Sequence, residues 1–252
     1  MHDPDYLIKE LDQHVETRIS ADAVAQARRN FSYLGYAKVP FLAPQTVKDA
    51  VADEVNRLIE GASVRRDLEF KETDYSPRRM RNVRRAEIAE YGNVIKRLYS
   101  AEPLLRAMSQ VAGEQVLLCP YEPEQFVITY LERDGDTHGW HWDDYSFALV
   151  WVLECPPVQD GGFVQCVPGT TWNKNDPQIN KTLVSRPIYS IELFPGDLYL
   201  MRTDTTLHRV YPVQNGQRKI INMGYASAAD LRRPMSHETM DNLWADPALT
   251  GE

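Results

Sequence analysis

His138-Gly139-Trp140-His141-Trp142-Asp143-Asp144 stands just ahead of the apolar run Phe147 to Leu153. That run is short, unbroken and mostly aliphatic, the pattern of a buried strand. Side chains two residues apart on extended backbone share a face, so His141 and Asp143 point the same way at the start of the strand. A second histidine lies downstream in Leu207-His208-Arg209-Val210, and Arg218 follows it by ten positions.

Outward from this stretch the chain reads as short β-rich runs separated by turn residues. They are Val116 to Cys119, Phe126 to Leu131, Phe147 to Leu153, Gly162 to Val167, Ile188 to Leu193, Asp197 to Met201 and Arg218 to Ala226. Pro195-Gly196-Asp197 makes a tight turn into the strand whose end lies a few residues before His208. Regularly spaced short strands imply a sandwich or barrel, here a jelly roll, the cupin-like double-stranded β-helix.

Upstream the period changes. Asp5 to Val15 and Ser20 to Leu34 carry helix-spaced apolar residues, and Val47, Val51, Val55 and Leu58 share one helical face after Thr46. Ile88 to Leu98 and Glu102 to Ala112 are read as two further helices. Between Leu58 and Ile88, Ser63 to Arg85 is crowded with arginines and reads as a long charged loop. It is either a solvated surface loop or a lid from which one arginine reaches a substrate carboxylate. Trp172 to Val184 reads as a polar loop. The expected fold class is mainly β with flanking helices, in one domain over 1–252. Residues 1–112 form a mostly helical cover with the lid loop, 113–230 the jelly-roll core and 231–252 a C-terminal segment.

The 252 residues carry 36 acidic and 28 basic side chains, a formal charge of -8. This balance speaks against a nucleic-acid partner or an anionic membrane surface, and no apolar run is long enough to span a bilayer. The three cysteines, Cys119, Cys155 and Cys166, lack metal-site spacing and suit free thiols in a reducing, cytoplasmic compartment. Oligomeric state is left open.

Either histidine alone would more often be a hydrogen-bonded core or surface residue. Together, His141, Asp143 and His208 make the set of two imidazoles and one carboxylate that binds Fe(II) while leaving positions open for other ligands. With Arg218 and the flanking strands, the pattern resembles the Fe(II)/2-oxoglutarate-dependent oxygenases. That resemblance implies Fe(II), 2-oxoglutarate and O2 as cofactor and co-substrates. It makes Arg218 the partner of the far carboxylate of 2-oxoglutarate, and decarboxylation to succinate and CO2 would accompany hydroxylation of a C–H bond.

A closer resemblance rests on Glu122-Pro123-Glu124, Asp136-Thr137-His138-Gly139-Trp140-His141-Trp142 and Ser76-Pro77-Arg78-Arg79, which look like the free-lysine radical halogenases and their hydroxylase relatives. In the halogenases a glycine replaces the carboxylate ligand and makes room for chloride. Asp143 departs from that pattern, which favours hydroxylation. The resemblance implies a small amino-acid substrate, free L-lysine with attack at C4. Arg78 and His138 would hold its carboxylate end, Glu124 and Asp144 its ammonium groups, and Trp244 would close the pocket.

Other readings stand beside these roles: a turn-holding His138, a turn-capping Asp144, a surface Glu124 and a buried anchor for Trp244. Strand parity puts Asn222 on the face of Arg218 and Ile220, whereas strict alternation turns Asp144 away from Asp143 unless the strand is kinked. A radical halogenase and a non-catalytic, metal-binding cupin-like sensor are the alternative functions. Asp143 argues against the first and Arg218 against the second.

Overall fold

The computed structural model describes residues 3–245. Helix α1 (Pro4–Thr17) starts on Asp3, whose carboxylate accepts from the Asp5 amide at 3.0 Å. Ser20 caps α2 (Ala21–Leu34) by accepting from the Ala23 amide at 3.1 Å. After strand β1 (Tyr36–Lys38) comes the long helix α3 (Gln45–Ala62), then β2 (Val64–Leu68), β3 (Arg78–Val83), α4 (Arg85–Tyr91), α5 (Val94–Tyr99) and α6 (Glu102–Ala112). Leu11, Phe31, Val51, Val55 and Met108 of this layer pack with Phe126, Leu149, Ile221 and Met223 of the strands that follow. Burial of these side chains holds the helices to one face of the main sheet.

The β-rich part runs β4 (Leu117–Leu118), β5 (Phe126–Leu131), β6 (Thr137–His138), β7 (Phe147–Glu154), β8 (Val164–Pro168), α7 (Ile179–Ser185), β9 (Tyr189–Ile191), β10 (Leu198–Arg202), β11 (Thr206–Val210) and β12 (Arg218–Ala226). Helix α8 (Glu238–Trp244) follows. The larger sheet has the order β1-β10-β7-β12-β5-β3-β2, with β4 on β12 and β6 on β3. The smaller sheet is β11-β8-β9, and every pairing in both is antiparallel. Met80, Val150, Val152 and Ile220 of the larger sheet meet Val164, Cys166, Ile191 and Val210 of the smaller. The molecule is thus the expected β sandwich, covered by helices on one side. Among the described residues no helix is long and apolar enough to cross a membrane.

Three local expectations are corrected. Ser63 to Arg85 is not one long loop: β2 and β3 pair in antiparallel register, leaving 69–77 as the connection. The arginines hid a strand alternation in which Arg78, Met80 and Asn82 turn inward while Arg79 and Arg81 turn out. Ile88 to Leu98 is two helices. Glu54 reaches over from α3 and accepts from the amides of Asn93, Val94 and Ile95 at 2.8, 3.0 and 2.9 Å, capping a new start at Val94. Trp172 to Val184 contains α7, because Ile179 and Leu183, one turn apart, pack against Trp140, Trp142 and Leu207. Residues 246–252 of the C-terminal segment lie outside the described residues.

Candidate active site

His208 lies on β11, whose strand character its mixed sequence had concealed, and His141 pairs with it just before β7. The two exchange backbone bonds, His141 N to His208 O and His208 N to His141 O, each at 2.9 Å. A carbonyl can only accept, so the contacts of His141 Nδ1 with Gly139 O at 2.6 Å and His208 Nδ1 with Thr206 O at 2.8 Å place the ring protons on Nδ1. Each Nε2 is left with a free lone pair. Asp143 Oδ1 lies 3.6 Å from His141 Nε2, and one ligand atom from each of His141, Asp143 and His208 falls within 4.8 Å of the others. Burial, with His138, His208 and Arg78 nearby, holds the His141 imidazole well below its ordinary pKa and therefore neutral.

The chain bends over Asp144 to Ser146 before β7 begins, so Asp143 and Asp144 both line the cavity despite being adjacent. Asp230 fixes this bend, its carboxylate accepting from the amides of Ser146 at 3.0 Å and Ser227 at 2.7 Å. No local pattern marks that role, since Asp230 sits in a short turn beyond the last strand.

Arg218, Ile220 and Asn222 share the cavity face of β12, while Ile221 and Met223 face the helices. Arg218 is 0% exposed, yet none of its three guanidinium nitrogens has a hydrogen-bond partner among the described residues. An unpaired buried cation is expensive and is met by an anionic ligand. Tyr199 of β10 and Cys155 flank it. Burial raises the pKa of both, with the guanidinium opposing.

Arg78 is 6% exposed and faces His138 across the β3–β6 pairing. A Cβ on Gly139 would sit 2.6 Å from Pro77 O, so glycine there lets the two segments close up. Burial pushes the Arg78 guanidinium down to about 10, against the pull of Asp143, Asp144 and Glu124. The His138 ring stacks on His141 at 3.7 Å, and its Nε2 has no partner. Glu124 projects from the short turn before β5, which crosses β12 at Gly224, where a Cβ would meet Glu124 O at 2.6 Å. Burial, then the charges of Asp144 and Asp143, raise the Glu124 carboxyl well above its usual range.

The partnerless buried atoms therefore include Glu124 Oε2, His138 Nε2, Asn222 Oδ1 and the Arg218 nitrogens, all around one cavity. Asp144 is engaged: its Oδ1 lies 2.6 Å from Lys174 Nζ and its Oδ2 3.5 Å from His237 Nδ1. Trp244 is not brought into the lining. Its indole faces Arg66 at 5.7 Å, while Thr239, Met240 and Leu243 of α8 meet the cavity. Lys174 and Tyr199 were missed by the sequence reading. Strand parity with Met201 could have found Tyr199, but no local pattern marks Lys174.

Residues 19–245 match the family model described as HalD: Halogenase D. The chain belongs to this family. No curated protein matches it. Among solved structures it is similar to the non-heme alpha ketoglutarate dependent epimerase SnoN from nogalamycin biosynthesis. That match has 18% identity and a TM-score of 0.66, and covers 90% of this chain and 91% of SnoN. AviO1 from Streptomyces viridochromogenes Tue57 matches at 21% identity and TM-score 0.63, over 84% of this chain and 97% of its own. A prolyl hydroxylase from Trichoplax adhaerens, solved with a hypoxia inducible factor peptide, matches at 14% and 0.58, over 86% and 99%.

At these identities the likeness is one of fold, that of the 2-oxoglutarate/Fe(II) oxygenases. SnoN has been solved with Fe3+ and alpha ketoglutarate. The residues of this chain fit both groups: two imidazoles held at Nδ1 by backbone carbonyls and a carboxylate suit Fe(II), and the unpaired buried guanidinium of Arg218 suits the far carboxylate of a keto diacid.

Proposed function

We propose that the protein is an Fe(II)/2-oxoglutarate-dependent hydroxylase of a free amino acid, with L-lysine the foremost candidate. His141, Asp143 and His208 would hold iron, and Arg218 would pair with 2-oxoglutarate. Bound together with O2, these groups supply the oxidising power to replace a C–H hydrogen by hydroxyl, with release of succinate and CO2. The chain's own task is placement. Arg78 and neutral His138 would take the substrate carboxylate, the first by ion pairing and the second by hydrogen bonding through Nε2. Glu124 and Asn222 offer unpartnered acceptors to an ammonium group. The apolar wall of Met80, Val150 and Ile220 would leave the aliphatic part of the substrate beside the metal trio.

The observation that carries the reading is Asp143, a carboxylate 3.6 Å from His141 Nε2 where the resembling halogenases have glycine. Radical halogenation is kept as the second reading because the matching family model is described as a halogenase. The deciding experiment is anaerobic reconstitution with Fe(II), 2-oxoglutarate and chloride, then exposure to oxygen with a panel of free amino acids. Gain of one oxygen atom on lysine supports the proposal. A chlorinated product would overturn it in favour of halogenation, and keto-acid decarboxylation with no modified amino acid would remove that substrate class.

A further inference from the structure

Lys174 stands where three segments that close the cavity meet. Its Nζ lies 2.6 Å from Asp144 Oδ1, 3.2 Å from Glu238 Oε2 and 3.4 Å from Ser236 Oγ, and 4.6 Å above the Trp172 ring. Trp172 in turn donates from Nε1 to Glu72 O at 2.7 Å, tying the 171–178 loop to the 69–77 connection. The Asp144 side chain is only 4% exposed and that of Lys174 22%, so the pair is largely enclosed. Glu124, the acid beside Asp144 in the second cluster of the cavity, has no ion pair among the described residues, and its Oε2 is unpartnered. One acid is thus open to a ligand, whereas the other already holds an ammonium supplied by the chain.

We propose that Lys174 is a specificity-determining residue, an internal ammonium that competes at Asp144 with the second ammonium of a diamino-acid substrate. The inference rests on the amino-acid reading above. A substrate ammonium reaches Asp144 Oδ1 only by taking the place of Nζ. Lys174 has somewhere to go, because Glu238, with its side chain 46% exposed, already shares the ammonium and stays accessible outside the cavity. Affinity for a second ammonium is therefore the difference between two similar ion pairs, and is smaller than a bare buried carboxylate would give. An amino acid with one ammonium uses Glu124 and leaves the Lys174 pair in place.

The test is calorimetric binding under anaerobic conditions to the Fe(II)- and 2-oxoglutarate-loaded protein, with L-lysine and with L-norleucine, which lacks only the terminal ammonium. Lys174→Met keeps most of the aliphatic stem and removes the competitor, so it should tighten lysine about tenfold while norleucine moves by no more than about twofold. Lys174→Arg, which keeps the charge, should hold the parent ratio. Amide hydrogen exchange over 171–178 and 236–244 reports a purely structural role: faster exchange with both ligands weakened alike would overturn the proposal. A lysine-to-norleucine ratio unmoved by Lys174→Met would overturn it too, with amino-acid binding itself intact. Absence of binding by both ligands to parent and variant alike is the separate signature of a failed amino-acid reading, and would take this inference with it.

Discussion

Two trios of histidine and carboxylate stand out among the described residues, His141 with Asp143 and His208, and Glu124 with Asp144 and His237. In composition they are close, but their surroundings differ. In the first, backbone carbonyls fix both rings by Nδ1 and leave the Nε2 lone pairs free, and no lysine or arginine forms an ion pair with Asp143 among the described residues. In the second, Lys174 sits on Asp144, and the His237 ring stacks flat on Tyr121 at 3.7 Å. The lesson is that donor type does not make a metal site. Free lone pairs with no resident cation suit a metal ion, whereas acids already met by an ammonium make an ammonium site.

The largest expected effect breaks the first trio. His141→Ala, Asp143→Ala and His208→Ala should each lower iron affinity and, without added chloride, abolish hydroxylated product, measured by metal content and by product mass, while the matching change His237→Ala leaves iron content unaltered. Retained turnover in two of the three would dissolve the distinction. Next in size is Arg218→Ala. Loss of one partner of a buried charged pair costs about 2 to 5 kcal/mol, on the order of thirtyfold to several thousandfold in the 2-oxoglutarate requirement, with iron binding spared. An unchanged co-substrate titration would assign the co-substrate to another cation.

Asp143→Gly sharpens the comparison more gently by removing the one carboxylate that separates the first trio from the halogenase pattern. With chloride supplied, the variant should keep some keto-acid decarboxylation and give at least traces of chlorinated amino acid by mass spectrometry. Full chlorination is not expected, because the surrounding side chains must also place the substrate nearer halide than hydroxyl. Tight iron binding with unaltered hydroxylation would show that Asp143 is no ligand.

The smallest effect concerns a carboxylate met entirely by protein groups. Asp136 receives both ends of the Arg65 guanidinium, at 2.7 and 2.6 Å, and the amides of Glu132 at 2.9 Å and Arg133 at 3.1 Å. Burial pushes this carboxyl upward, but the Arg65 fork and the amides together outweigh it and hold its pKa below the usual value. A depressed folded-state pKa contributes stability above the unfolded value that is lost as pH falls through the folded one. Asp136→Asn should therefore lower stability by about 1.5 to 3 kcal/mol at neutral pH, with a gap that closes in acid, as read from urea unfolding at several pH values. A gap independent of pH would exclude the ion pair as its source.

The sequence by itself determined the parts whose signal is local and periodic. Phe126 to Leu131 and Arg218 to Ala226 read as strands because β-branched, aromatic and aliphatic residues crowd short runs, and Glu102 to Ala112 as a helix because one face is apolar. Parity alone placed Asn222 beside Arg218 on the cavity face. The His-x-Asp motif and the distal histidine were legible as chemistry, although β11, the strand that carries His208, was not.

Tertiary structure decided whatever depends on contacts between distant segments. The arginine-rich stretch became two strands because β3 pairs with the distant β5 and β6, and Arg65 finds Asp136 across 71 positions, pairings no local window of sequence contains. The bend that turns Asp143 and Asp144 into one cavity is held by Asp230 from beyond the last strand. The occupancy of Asp144 by Lys174 is likewise set by a loop 30 residues away in number, 144 against 174, and in space by a single ion pair of 2.6 Å. Periodicity reports which face of an element is buried. Which charges meet in that buried space is fixed only when the sheets close, because a buried charge takes its character from the partner it finds.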